Sequence, residues 1–210
     1  TIPDSVTSIG DYAFEDCTGL TRVTIGDSVT SIGYAAFRNC TSLASVTLPD
    51  SVATIEQEAF YSCSSLTFNE YDNAKYLGNA QNPYLALIQP SSKNITSCII
   101  HADTKVIADY AFAYHTYMTS VSIPYGLTRI SECAFRGCKG LTDVTIPDSV
   151  TYIDYAAFLD CSNLTSVNIP DSVTSIGSSA FSGCSSLTSI TVESGNTKYH
   201  SDGNCLIETD

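Results

Sequence analysis

Nine cysteines and three histidines are the side chains in this sequence with the chemistry for nucleophilic attack, metal capture or disulfide exchange. Six of the cysteines recur in one setting, as in AFEDC at 13–17, AFRNC at 36–40 and AFSGC at 180–184. They are Cys17, Cys40, Cys63, Cys138, Cys161 and Cys184, each three residues before a repeated leucine. A zinc site needs paired cysteines, or cysteines and histidines in step. No C-x-x-C is present, and no histidine keeps the cysteine period, so a metal site has almost no support. A nucleophilic cysteine needs a lowered pKa and an oriented base. His101, His115 and His200 are scattered. His115 does stand in the cysteine column, within AFAYHTYM, where a polar substitution packing with Tyr114 or Tyr117 outweighs a catalytic role.

The six thiols are therefore predicted to form a ladder of small, buried, apolar side chains. Neighbours one coil apart fall near the roughly 4.4–6.8 Å Cα window of a disulfide. Equivalent side chains point in parallel, so free thiols are expected, with bridging left open. Cys98 replaces an inward valine and is expected in the core. Cys133 shares a variable column with Tyr12, Ala35, Glu58, Tyr110, Ala156 and Ser179. It is expected to be half exposed and is the best candidate for a reactive thiol, although no base lies beside it in sequence. Cys205 is unplaced.

The element that positions these residues is a 23-residue repeat, and repeats outrank local motifs in a fold reading. Phenylalanines stand at 14, 37 and 60, then at 112, 135, 158 and 181. Ile9, Ile32, Ile55, Ile107, Ile130, Ile153 and Ile176 keep the same step, as do Leu20, Leu43, Leu66, Met118, Leu141, Leu164 and Leu187. A Val-x-Ile pair in each coil alternates like a short half-buried strand. Each coil reads as strand, "PDS" turn, extended arm, short helix or turn at "GDYAFEDC", and return. A unit this small cannot bury its apolar side alone, but stacked coils can. The expected architecture is an α/β repeat: one solenoid over 1–210 with a parallel concave sheet and short helices or turns on the convex side. Residues 1–71 and 95–192 read as regular repeats. From Phe60 to Phe112 the spacing is 52 residues, two periods plus six, so a degenerate coil with an insertion occupies 72–94. There Tyr84, Leu85, Leu87 and Ile88 are the expected substitute anchors. "ITSCII" at 95–100 resumes the inward columns with Ile95, Cys98 and Ile100. Residues 193–210 are irregular, and the chain reads as part of a larger protein.

The unit L-x-x-V-x-I-P-x-x-V-x-x-I-x-x-x-A-F-x-x-C-x-x resembles the bacterial surface-antigen (BspA-like) class of leucine-rich repeats, over seven clear copies and one degenerate copy. That resemblance implies a curved right-handed solenoid. It also implies an extracellular or cell-surface protein of host-associated bacteria, in a family whose members include adhesins and matrix binders. Fold likeness does not carry function with it.

Composition narrows the classes further. A net charge of −13 with nine Lys and Arg offers no footprint for nucleic acid or anionic lipid. No apolar run approaches the roughly 18 residues of a membrane span, and no signal segment opens the chain. Asp4, Asp27, Asp50, Asp148 and Asp171 form a column in the turns. Adjacent charges there repel by only ~0.8 kcal/mol in water, so turn chemistry is favoured over a cation ladder. The outward strand residues are rich in Ser and Thr, good strand formers. They lack the aromatic and Arg anchors of a binding hot spot. Three N-x-S/T sequons, at Asn39, Asn94 and Asn163, are weak glycosylation signals. Tyr71, Tyr76, Tyr84, Tyr110, Tyr114, Tyr117 and Tyr125 gather near the irregular coil. The expected function is a non-catalytic protein-binding or adhesion module, possible partner contacts being Tyr84, Tyr114, His115, Tyr117 and Tyr125. The alternative is a structural spacer with binding carried elsewhere. No cofactor is expected, and an enzyme is disfavoured.

Overall fold

The computed structural model describes residues 1–203 and 205–209. The repeats stack as a β-solenoid whose regular coils have three sides. One side is a short parallel strand from the "TSI" arm: Ser8–Ile9, Ser31–Ile32 and Thr54–Ile55 pair in register, as do Arg129–Ile130, Tyr152–Ile153 and Ser175–Ile176. A second comes from the Val-x-Ile segment: Arg22–Thr24 pairs with Ser45–Thr47, Ser97–Ile99 with Ser120–Ser122, and Ser166–Ile169 with Ser189–Val192. The third side is the Ala-Phe arc. Ile32, Phe37, Cys40, Leu43 and Leu48 of one coil are all fully buried, so each apolar column fills the centre of the stack.

Among the described residues no helix forms, which corrects the expected α/β class; of the expected short helices or turns, the Ala-Phe arcs are turns. The hydrogen bonds show why. An α-helix needs each N–H to reach the carbonyl four residues back. In the first arc Ala13, Glu15 and Cys17 instead donate to carbonyls three residues back, those of Gly10, Tyr12 and Phe14. The alternate residues Tyr12, Phe14 and Asp16 donate across to Tyr34, Ala36 and Arg38 of the next coil, at 2.9, 2.7 and 2.9 Å. Half of the arc's donors are thus spent on the stack. Positive φ at Tyr12 (56°) and Asp16 (57°) makes this possible, and each later arc repeats it. Left-handed backbone costs a non-glycine residue roughly 1–2 kcal/mol. Gly137 and Gly183 relieve it in two coils. Ser179→Gly, at an exposed position with φ 61°, is therefore expected to stabilise the chain by about 0.5–1 kcal/mol. A lower urea midpoint for that variant would refute the strain argument.

The turn side chains also bond between coils. Ser51, Ser149 and Ser172 donate to the carbonyls of Val29, Leu127 and Val150, each at 2.7 Å. Asp4 Oδ1 accepts from the Asp27 N–H at 3.0 Å. These side chains fasten one turn to its neighbour. In the arcs, phenylalanine rings stack at 5.0–5.5 Å from Phe14 to Phe37 to Phe60, and again from Phe112 through Phe135 and Phe158 to Phe181.

The two ring stacks are separated by the irregular segment. Asn69–Tyr71 runs antiparallel to Ala74–Leu77, which runs antiparallel to Ala86–Pro90. Ala86–Pro90 then pairs in parallel with Val106–Ile107. This meander starts at Asn69, inside the stretch expected to be regular. Leu85 and Leu87 are buried, and Tyr84 and Ile88 are half-buried. Gly78 is required where the segment turns back, because a Cβ there would lie 2.0 Å from the Asn82 carbonyl oxygen. At the other irregular stretch, Tyr199–Asp202 and Cys205–Glu208 form an antiparallel hairpin. Tyr199 is buried, and its hydroxyl accepts from the Ile176 N–H at 2.9 Å.

Candidate binding cleft at the interrupted coil

The thiol column is built for packing. Cys40, Cys63, Cys138, Cys161 and Cys184 are buried and unbridged. Each donates to the phenylalanine carbonyl of the coil before it: Cys40 to Phe14, Cys63 to Phe37, Cys138 to Phe112 and Cys161 to Phe135 at 3.1 Å, and Cys184 to Phe158 at 3.2 Å. Burial pushes these thiols up, to about 11 at Cys63 and Cys184 and about 12 at Cys138. Cys98, also buried, is pushed up to about 12 by the same cause. A raised pKa removes the thiolate that reacts.

Two cysteine expectations are corrected. Cys17, in the first arc of the described residues, is exposed. Cys133 is fully buried rather than half exposed, in a column where Ala35 and Ala156 are equally buried, so it is not an accessible thiol. Cys205 is exposed. In the folded 210-residue chain, Ellman's reagent is expected to label Cys17 and Cys205 rapidly and the other seven only on unfolding. Fast labelling of four or more thiols would contradict the buried ladder. Among the described residues no group of three or more His, Cys, Asp or Glu is arranged to hold a metal ion.

The feature with the shape of a site lies where the arc stack breaks. Between regular coils, three N–H groups of one arc donate to three carbonyls of the next; Ala35, Phe37 and Asn39, for example, donate to Gln57, Ala59 and Tyr61. The corresponding donors of the next arc, the N–H groups of Glu58, Phe60 and Ser62, find no acceptor among the described residues. On the far side, the carbonyls of Asp109, Ala111 and Ala113 find no donor there either. The two arcs meet at their base, where the Asp109 N–H donates to the Ile55 carbonyl at 2.9 Å. Beyond that they part around a cleft of about 490 Å³, whose third side is residues 88–93.

Three carboxylates, Glu56, Glu58 and Asp109, line this cleft, against Lys93. Burial pushes the Asp109 carboxyl up to about 7, with Glu132, Asp154 and Glu56 adding repulsion and Arg129 opposing them. Glu56 is also raised, chiefly by burial. Glu58 pairs with Arg38 at 3.0 Å.

Of the five sequence-derived contact residues, Tyr114 and His115 line the cleft. The His115 Nδ1 is buried without a partner, and the ring meets Phe112 edge-on. No carboxylate lies within ion-pair distance of His115 among the described residues, so a base-and-orienter pair is not assembled. Tyr114 lies under the Arg136 guanidinium. Tyr84 is elsewhere, stacked on His101 at 4.0 Å and edge-on to Tyr71 and Tyr76. Tyr117 and Tyr125 are exposed and outside the cleft. The sequence reading missed the acidic wall and the two unpaired backbone edges. The lost Ala-Phe signature was the available signal for both.

Among the described residues no helix is long and apolar enough to cross a membrane. No curated protein matches the chain. A leucine-rich cell surface protein from Faecalibacterium prausnitzii is similar to it in structure. The identity is 25%, with 91% of this chain and 78% of that one covered and a TM-score of 0.50. The pneumococcal vaccine antigen PcpA shares the fold at 21% identity, over 92% of this chain and 62% of that one, with a TM-score of 0.57. The BspA type leucine-rich repeat region matches residues 1–80 and 91–204 in six copies. On that match, over coils whose columns and arcs are described above, the chain belongs to the BspA-type leucine-rich repeat family.

Proposed function

We propose that this chain is a non-catalytic protein-binding module of a bacterial surface protein, with its contact region at the interrupted coil. The observation that carries the reading is the cleft itself. A continuous stack has no such opening, and here one arc is replaced by a meander that leaves a concave space between two rigid walls. The family match and the surface location named for the F. prausnitzii protein support display outside the cell. The spacer reading is favoured by one observation. The exposed strand residues Thr24, Thr47, Ser122 and Thr191 are small and hydroxylic, unlike the aromatic and Arg anchors of hot spots. The immobilised chain is to be challenged with host surface and matrix proteins. Capture that weakens at least tenfold in a Tyr61→Ala, Tyr114→Ala double variant supports binding at the cleft. Absence of capture, or capture indifferent to that variant and to Tyr84→Ala and Tyr117→Ala, supports the spacer.

A further inference from the structure

The cleft is the space of one missing arc, and its walls specify what would fill it. We propose that it binds an extended peptide segment of a partner protein that supplies that arc. The segment would place an aromatic ring against Phe60, in the column that Phe60 and Phe112 share, and a lysine or arginine two to four residues before the ring. This deepens the protein-binding reading above and rests on it.

Four observations converge on that occupant. First, the walls are complementary backbone edges. A segment lying between them can accept from Glu58, Phe60 and Ser62 and donate to Asp109, Ala111 and Ala113, as every regular arc does with its neighbours. Adding a strand-like segment to an open edge is a common mode of peptide recognition, in which the main chain supplies affinity and side-chain pockets supply selectivity. Second, the ring column is interrupted only here. Phe37 and Phe60 stack on one side, and Phe112 and Phe135 on the other; Phe60 lines the cleft while Phe112 is fully buried outside its lining, so a ring in the gap would pack on Phe60. Third, the thiol column explains His115. Each buried thiol in that column donates to the carbonyl of the ring residue one arc earlier. For His115 the earlier arc is missing, and its Nδ1 is buried with no acceptor. The carbonyl of the peptide's ring residue is the acceptor that the column calls for. Fourth, the positions two, three and four residues before the ring lie in the columns of Glu58, Asp109 and Glu56. A cation there meets three carboxylates, one of them held partly protonated by burial. The net charge of −13 would also steer a basic segment toward the chain.

The test is fluorescence anisotropy of the full chain with a labelled synthetic peptide, acetyl-GKAAFSN-amide, which carries lysine three residues before phenylalanine. Saturable binding is expected. It should weaken at least tenfold when the peptide's phenylalanine becomes alanine, and at least tenfold when that residue's backbone nitrogen is methylated. It should weaken three- to tenfold in His115→Ala, and Ala113→Trp should abolish it by filling the cleft. His115→Ala keeps the test decisive if Ala113→Trp does not fold. No binding at millimolar peptide overturns the proposal, while capture of a host protein through Tyr61 and Tyr114 would still stand by itself. Equal binding of the alanine and N-methyl peptides overturns it as non-specific charge attraction. Concentration-dependent dimerisation without peptide, lost in Ala113→Trp, overturns it in favour of a second copy of this chain.

Discussion

Replacing Phe135 with alanine is expected to lower the unfolding free energy by about 3–5 kcal/mol. The side chain is fully buried, and its ring stacks on Phe112 and on Phe158 at 5.3 Å each. The loss combines the transfer free energy of the ring with the cavity left in a tightly packed column. Each aromatic pair adds roughly 0.5–1.5 kcal/mol beyond its buried area. Stability in a repeat array is close to a sum of coil and nearest-neighbour terms. Damage at Phe135 therefore falls on two interfaces, whereas Phe14→Ala damages one, at a half-buried ring. The end variant should lose about half as much. Urea denaturation followed by tyrosine fluorescence and circular dichroism measures both. Equal losses at the two positions, or a loss below about 1 kcal/mol at Phe135, would show that ring stacking does not hold the coils together.

Asp109→Asn should stabilise the protein at pH 8 and leave it unchanged at pH 4. In the folded chain the Asp109 carboxyl titrates near 7, against about 3.9 in an unfolded chain. The native state therefore holds the proton more tightly than the unfolded state. Below about pH 4 both states are protonated and the site costs nothing. Stability falls as pH rises from about 4 to about 7, and the full cost persists above that window. Three units correspond to an upper bound of about 4 kcal/mol. The carboxyl is half-buried, so solvent screening reduces this to about 1–2 kcal/mol. Asparagine keeps the shape and removes the charge that Glu132, Asp154 and Glu56 oppose, at the cost of the attraction to Arg129. Urea midpoints at pH 4 and pH 8 test the difference. An equal gain at both values would mean that packing, not charge, is responsible.

The stacking of coils was legible because the 23-residue step keeps each apolar column in character over seven copies, and only a neighbour one repeat away can cover each apolar side chain. The burial of Ile32, Phe37 and Leu43 follows from that alone. The conformation of the arc was not legible. A-F-x-x-C places apolar residues at a spacing that a helical turn also produces, and the choice depends on where Phe14 and Asp16 send their N–H groups. Those acceptors are a repeat away in sequence, so no local window contains them.

The amino-acid sequence by itself determined the repeat, its inward columns and the place where the Ala-Phe signature lapses. Only the tertiary structure decided what that lapse does. Residues 69–90 zip into an antiparallel meander, because each strand there finds its partner within its own segment. The arcs on either side are thereby left apart, with three donors facing one way and three acceptors the other. Which backbone groups remain unpaired depends on the whole set of pairings, and that set exists only once the chain has folded.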